Sequence, residues 1–350
     1  MKNTGLRLEA ALAAMTQNFF STTAAYNGQA IADLETQLND EYRAEVGDAI
    51  FERSVAFGKA VATKIFEWSK TDGGHRAYLK NFDKKLVFQD RPGCWKPPLY
   101  AQSFSHFPLH PHWGKNRTFI ASDSMLSDPA FITFDTIPGS AYYNQFKAVY
   151  DKEKSLTQKE KETAIWWGDD PDETFTPPGH SYYLATIAIR KTKPGIVKCA
   201  ETYAKVGIAV ADAFRNCWKW KYQFFSERPN TYIVEYIDNE WHSFWPDPPF
   251  PAFPSGHAIQ ASAAAMVLTD LYGDRFEFTD SAHSGRKRDE LRNADFVVRH
   301  FNSFWEVAEE TANSRFYGGI HTPQDNKMGL EKGKEIANNV NKLNWKKKTN

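Results

Sequence analysis

The sequence predicts an all-α protein, a multi-helix bundle with long ordered loops, on three observations. Apolar residues recur at helical spacing through several long segments, strand-like alternation is scarce, and the stretches between are rich in Pro, Gly and aromatics without a sustained period. Residues 30–70 place Phe51, Val55, Ala62, Ile65 and Phe66 on a helical repeat that stops at "TDGG". From about 84 to 145 the chain, "VFQDRPGCWKPPLYAQSFSHFPLHPHWGKNRTF" included, predicts an ordered loop region of a length that usually carries function. "SLTQKEKETAIWW" opens as a helix with Ser155 or Thr157 as its cap, and "DDPDETFTPPGH" interrupts it. Helix resumes near 180, breaks at Pro194 and runs to about 224. Further helices are expected over 257–272, 287–314 and 327–343, the last before a basic tail read as a solvated end. No repeat or linker is visible, so one domain over 1–350 is the economical reading.

With 350 residues, 41% of them hydrophobic and 15% aromatic, the chain can bury a sizeable core. Its 43 basic and 43 acidic residues leave no net charge to attract nucleic acid or an anionic surface. No apolar run reaches membrane-spanning length, so neither nucleic acid nor membrane is expected as a partner. The opening "MKNTGLRLEAALAAMTQNFF" is interrupted by Arg7 and Glu9 and reads poorly as a signal peptide. Cys94, Cys199 and Cys217 lack ligand-like spacing and read as buried thiols, not as disulfides or a zinc site.

Three pieces carry chemistry. In "DPPFPAFPSGHAIQASAAAMVL" the prolines forbid helix up to Pro254, and Ser255 can cap a helix that starts near Gly256 or His257. That first turn offers free N–H groups and a positive dipole end to an anion, which Gly256 lets approach the backbone. Ala258, Ala261, Ala263, Ala264 and Ala265 leave room for a second helix to pack closely. Upstream, "KYQFFSERP" spaces Lys221 and Arg228 about two helical turns apart on one face, within reach of one oxyanion, with Pro229 ending the helix. Downstream, "SRFYGGIHTPQD" ends a helix near Arg315, turns on glycines and presents His321, with Asp325 placed to hold its second ring nitrogen.

Together, Lys-x6-Arg-Pro, Pro-Ser-Gly-His and Ser-Arg-x5-His-x3-Asp resemble the signature shared by type 2 phosphatidic acid phosphatases, bacterial class A acid phosphatases and vanadium-dependent haloperoxidases. The resemblance spans roughly residues 30–340, and the active-site core it implies lies at about 180–340. It implies that Lys221, Arg228, Ser255, Gly256 and Arg315 hold the oxygens of a phosphate-like anion, that His321 sits at its apex and bonds the metal of vanadate, and that His257 is the general acid-base. Phosphate would fit the same cage. The lead from Pro248 to His257 resembles the haloperoxidases most, and Trp218 and Phe250 match positions that fungal chloroperoxidases fill with Trp and Phe.

The resemblance therefore implies vanadate-dependent oxidation of a halide by hydrogen peroxide to hypohalous acid, with Lys221 polarising the bound oxidant. Two alternatives stay open: a soluble acid phosphatase acting on small phosphate esters through a phosphohistidine, and a non-catalytic oxyanion-binding protein. The resemblance also implies a periplasmic or secreted setting, is compatible with a homo-oligomer, and leaves the organic acceptor unassigned. Glu227 stands where the fungal pattern has Trp. Its carboxylate is expected to pair with Arg228 or with a neighbour. Next to Arg228 it would weaken the electrophilicity of the oxidant and favour iodide and bromide over chloride. Asp169 and Asp170 are candidates for an acid partner to His257. His110 and His112 are expected to line the entrance with Trp113 and Arg117 rather than to bind metal, and surface or structural roles are expected for His180 and His283.

Overall fold

The computed structural model describes residues 2–98, 100–102, 105–169 and 175–343. Among them are eleven α-helices and one two-stranded sheet, as the helical periodicity predicts. The chain forms two compact units, one of Met1–Arg76 with Gly195–Lys198 and one of Ala77–Pro194 with Cys199–Asn350.

The first unit holds α1 (Lys2–Phe19), α2 (Ala25–Val46) and α3 (Asp48–Ser69). The helical repeat over 30–70 is divided at Gly47, whose φ of 76° ends α2 and redirects the chain into α3. Arg43 braces that corner through Asp48 at 2.7 Å and by lying over the Phe51 ring. The N-terminal segment is a helix that the sequence reading left unassigned. Gly58 lets it lie close to α3, because a Cβ there would stand 2.4 Å from the Arg7 carbonyl oxygen.

The second unit carries every residue of the three motifs. Its helices are α4 (Ala141–Lys154), α5 (Gln158–Trp166), α6 (Pro177–Thr192), α7 (Ile196–Phe224, from Cys199 onward), α8 (Pro229–Tyr236), α9 (Gly256–Tyr272), α10 (Phe304–Tyr317) and α11 (Pro323–Asn341). Thr157 caps α5 in a capping box with Glu160. Among the described residues, 84–140 form no α-helix, and α4 starts at Ala141, a few residues before the expected end of the loop region at about 145.

The helix expected over 287–314 starts only at Phe304, capped by Ser303. Ahead of it Asp289 and Ala294 exchange backbone hydrogen bonds across a turn, and β2 (Arg299–Phe301) pairs antiparallel with β1 (Phe278–Asp280). The charged residues there stabilise the turn: Arg292 reaches back to Asp289 at 2.8 Å, and Arg288 bonds Asp295 and Asn293. The basic tail lies outside the described residues. Cys94, Cys199 and Cys217 are free thiols, the first and last buried. No described helix is long and apolar enough to cross a membrane.

Helix α9 is central and buried around most of its circumference, which is why its sequence is small and apolar on every side. Its alanines meet α11 where Gly329 and Gly333 face them. A Cβ at Gly333 would fall 2.2 Å from the Ile259 carbonyl oxygen, and one at Gly329 would fall 2.7 Å from the Ala258 Cβ. We expect Gly333→Ala to push the pair apart and cost about 1–3 kcal/mol, the range for forcing an extra methyl into a filled core. An unchanged midpoint in urea unfolding would show that α11 can shift without loss.

Candidate active site

Lys221 and Arg228 do not share a helix face as their spacing suggested. Helix α7 stops at Phe224 because Phe225 turns left-handed, with φ 50°, so Lys221 sits in its last turn. Arg228 is the extended residue before α8, and Pro229 starts that helix instead of ending the previous one. The proline-rich segment brings the two heads together. Lys221 Nζ donates to the carbonyls of Pro251 at 2.8 Å and Ala252 at 2.6 Å. Arg228 donates from Nε to Phe250 at 3.1 Å and from Nη2 to Pro251 at 3.5 Å. An ammonium carries three donors, so Lys221 keeps one beyond these bonds.

Ser255 caps α9 as expected, its Oγ accepting from the Ala258 N–H at 3.4 Å. Its own N–H donates to the Asp325 carbonyl at 3.1 Å, which ties α9 to the start of α11. Gly256 is buried, yet a Cβ there would meet Phe214 and Trp218 only at 3.7 Å, so packing against protein does not require glycine. His257 follows. One ring nitrogen makes a backbone hydrogen bond at Gly168, while Nε2 is sealed from solvent without a partner. Burial, reinforced by the Arg315 charge, depresses its pKa to about 3, so the ring is neutral.

Arg315 lies buried in the last turn of α10, donating to Ser314 Oγ at 3.0 Å and to the Ala164 carbonyl of α5 at 2.7 Å. After Gly318 and Gly319 the chain enters α11, whose first turn is a capping box of Thr322 and Asp325. The Asp325 carboxylate accepts the Thr322 N–H at 3.0 Å and also His321 Nδ1 at 3.1 Å. With the proton on Nδ1, His321 Nε2 accepts from Arg228 Nη1 at 3.2 Å. Burial together with the charges of Arg228, Lys221 and Arg315 holds His321 well below its usual pKa.

Three cations are thus buried together. Burial, helped by Arg228, lowers Lys221 to about 7, and burial raises Asp325 to about 6. Asp247, a buried carboxylate with no hydrogen-bond partner, is raised to about 7 by burial against the pull of Arg228. Below these values Lys221 is charged and both carboxyls are neutral; as pH rises Lys221 loses its proton and the carboxyls ionise. Each change removes positive charge. We therefore expect sulfate, whose own charge is fixed in this range, to bind most tightly below pH 6 and to lose about tenfold per pH unit for each proton released near pH 7. Affinity flat from pH 5 to 8 by calorimetry would contradict this charge balance.

Trp218 and Phe250 stand beside the cations, with ring centroids 4.9 Å apart and Lys221 Nζ 5.2 Å from the Phe250 ring. Glu227 does not pair with Arg228. It accepts from the Tyr142 hydroxyl at 3.2 Å, and burial raises its pKa to about 8, so it is largely protonated at neutral pH. A neutral carboxyl does not offset Arg228, which removes the electrostatic ground for the halide preference read from this residue.

His112 bonds Asp83 at 2.8 Å. Asp169 is buried and acts on His257 through its charge, but its hydrogen bonds go to His180; Asp170 lies outside the described residues. The sequence reading missed the cluster around His180 and His283, both buried, because its members come together only in the fold. Burial opposes the charge on His180, but Asp169 and Asp280 overcome it and hold that ring protonated, with a pKa of about 10.

The helical bundle of the second unit thus buries three cations, a neutral imidazole with an open nitrogen and the start of a helix. Residues 201–347 match the family model for the second helical-bundle domain of vanadium chloroperoxidase. The vanadium chloroperoxidase of Curvularia inaequalis is 28% identical over 165 residues, which take in 35% of this chain and 27% of that protein, so the match spans about a quarter of that relative's length. The crystal structure of a bacterial vanadium-dependent iodoperoxidase superposes with a TM-score of 0.75 at 32% identity, covering 90% of this chain and 74% of that one. A holo bacterial vanadium-dependent chloroperoxidase shares the fold, with a TM-score of 0.72 at 15% identity over 97% of this chain and 81% of that one. The chain belongs to the vanadium-dependent haloperoxidase family, a family of enzymes.

Proposed function

We propose that this protein oxidises halide with hydrogen peroxide, using vanadate held by Lys221, Arg228, Ser255, Gly256 and Arg315, with His321 as the residue that bonds the metal. The observation that carries the reading is the burial of three cations around the start of α9. Burying like charges is costly unless an anion compensates them, and a tetrahedral oxyanion presents oxygens to all of them at once. His321 fits the role of ligand: its Nδ1 proton is fixed by Asp325, and Nε2 keeps a lone pair, held by Arg228 Nη1 in this structure, that a bound metal would take over. The second unit, with its core at about 180–340, would carry the whole site.

Bound vanadate would supply Lewis-acid activation of peroxide without changing its oxidation state. The chain's own residues do the rest. Neutral His257 can take a proton at Nε2 from an incoming peroxide and return it to a leaving oxygen, which is general acid-base work. Lys221 regains full charge beside an anion, and its third N–H can polarise an oxygen facing the halide. Trp218 and Phe250 keep that side apolar, which strengthens the charge interactions by excluding water. Iodide is the halide we assign, on the likeness to a bacterial iodoperoxidase.

The test is to dialyse the purified chain with orthovanadate in phosphate-free buffer and assay iodide, bromide and chloride oxidation beside hydrolysis of p-nitrophenyl phosphate. We expect halide oxidation that requires vanadate and is suppressed by phosphate. Halide oxidation that persists in the vanadium-free protein, or phosphate ester hydrolysis in its place, would overturn the reading.

A further inference from the structure

Behind His257 lies a second buried group of polar side chains that the proposed reaction does not use. Asp169, His180, Asp280 and His283 are all almost fully buried. His180 Nδ1 lies 2.9 Å and 3.1 Å from the two Asp169 oxygens, and its Nε2 lies 2.8 Å from Asp280 Oδ2. His283 Nε2 stands 3.5 Å from Asp169 Oδ1, buried and without a hydrogen-bond partner.

We propose that Asp169, His180 and His283 form a binding site for one divalent cation of the zinc type, with Asp280 orienting His180 from its far nitrogen. One ligand atom from each of Asp169, His180 and His283 lies within 4.8 Å of the other two. A tetrahedral ion about 2.0–2.2 Å from each ligand needs them about 3.4 Å apart, so the His180–Asp169 pair would open from 2.9 Å and the widest pair would close from within 4.8 Å by rotation of side chains. Two imidazoles and a carboxylate suit zinc or cobalt and leave one position for water.

The surroundings are built as supports for ligands. Asp280 accepts from His180 Nε2, the carboxylate-histidine arrangement that fixes tautomer and ring plane in metal sites. Trp166 Nε1 holds Asp280 Oδ2 at 2.9 Å, the Ala282 N–H holds Oδ1 at 2.9 Å, and Trp167 stacks on the His180 ring at 4.5 Å. Asp169 takes a left-handed backbone with φ 50°, a conformation that costs free energy in a residue other than glycine and that sets the direction of its carboxylate. On coordination His180 releases the proton that Nδ1 shares with Asp169, while Nε2 keeps its proton for Asp280. The ion's two charges then balance the two buried carboxylates. Gly168, which makes the backbone hydrogen bond with His257, immediately precedes Asp169, so the ion would anchor that segment from behind.

The test uses the full chain, stripped with chelator, in buffer free of vanadate, phosphate, peroxide and halide, so its outcome is independent of the haloperoxidase reading. Co2+ is titrated by visible absorption and displaced with Zn2+. We expect one Co2+ per chain, with the intense bands of a low-coordinate site lost on adding Zn2+. Asp280→Asn should weaken binding about 10- to 100-fold, as removal of an orienting carboxylate does. His283→Gln, which keeps a polar side chain in place of the ligand, should weaken it further. Absence of stoichiometric binding by the parent chain, or parent-like affinity in His283→Gln, would overturn the proposal.

Discussion

His321→Ala is expected to abolish retention of vanadate through gel filtration, because it removes the one protein atom assigned to bond the metal. Hydrogen bonds and charge from Lys221, Arg228 and Arg315 remain in that variant, so weak, rapidly exchanging anion binding should persist. Asp325→Ala is expected to weaken retention by roughly 10- to 100-fold, because the carboxylate fixes the tautomer that keeps Nε2 free of a proton. Asp325 also caps α11, and loss of a cap costs about 1 kcal/mol of stability. Asp325→Asn separates the roles by keeping a capping side chain of the same size. If vanadate stays bound to the His321 variant as tightly as to the parent, another residue is the ligand and the site assignment fails.

The second large effect is expected at His257. Its Nε2 has no protein partner and its ring is neutral, so its removal should leave the cage charges unaltered. His257→Ala should therefore lower kcat for iodide oxidation about 10²- to 10⁴-fold, the usual contribution of a positioned acid-base group, while sulfate affinity changes little. A variant that loses affinity and turnover in equal measure would place His257 among the groups that hold the anion and not among those that move protons.

Features fixed by local chemistry were legible in the sequence. Ser255 as the cap of α9, Thr157 as the cap of α5, and the His321–Asp325 hydrogen bond depend on residues within four positions of one another. The all-helical class followed from periodicity. The Lys221–Arg228 geometry was misread because a left-handed phenylalanine, which no sequence rule anticipates, ends the helix between them. The segment 287–303 was misread because charged residues at helical spacing serve equally well to close a turn.

Long-range facts were invisible. The protonation of Glu227 comes from burial that no single position reports, and it holds against the hydrogen bond from Tyr142, 85 positions away. His180 meets Asp280 across 100 positions, with nothing at either end to mark the meeting. Asp247, at the start of the proline-rich lead, carries no mark in the sequence and proves to be a buried carboxylate whose charge acts on Arg228.

The carbonyls of Phe250, Pro251 and Ala252 have a further consequence. Proline contributes no N–H, so this part of the chain offers acceptors almost alone, and Lys221 and Arg228 already rest on them. A cation held this way does not have to swing into place when an anion arrives, and binding then loses little free energy to reorganisation. With the anion held as proposed, the pocket would work as a fixed ion exchanger, one tetrahedral anion replacing another without movement of the backbone. Occupancy would then follow the ratio of such anions in the surrounding medium, and an enzyme loaded in one habitat could be emptied in another without unfolding.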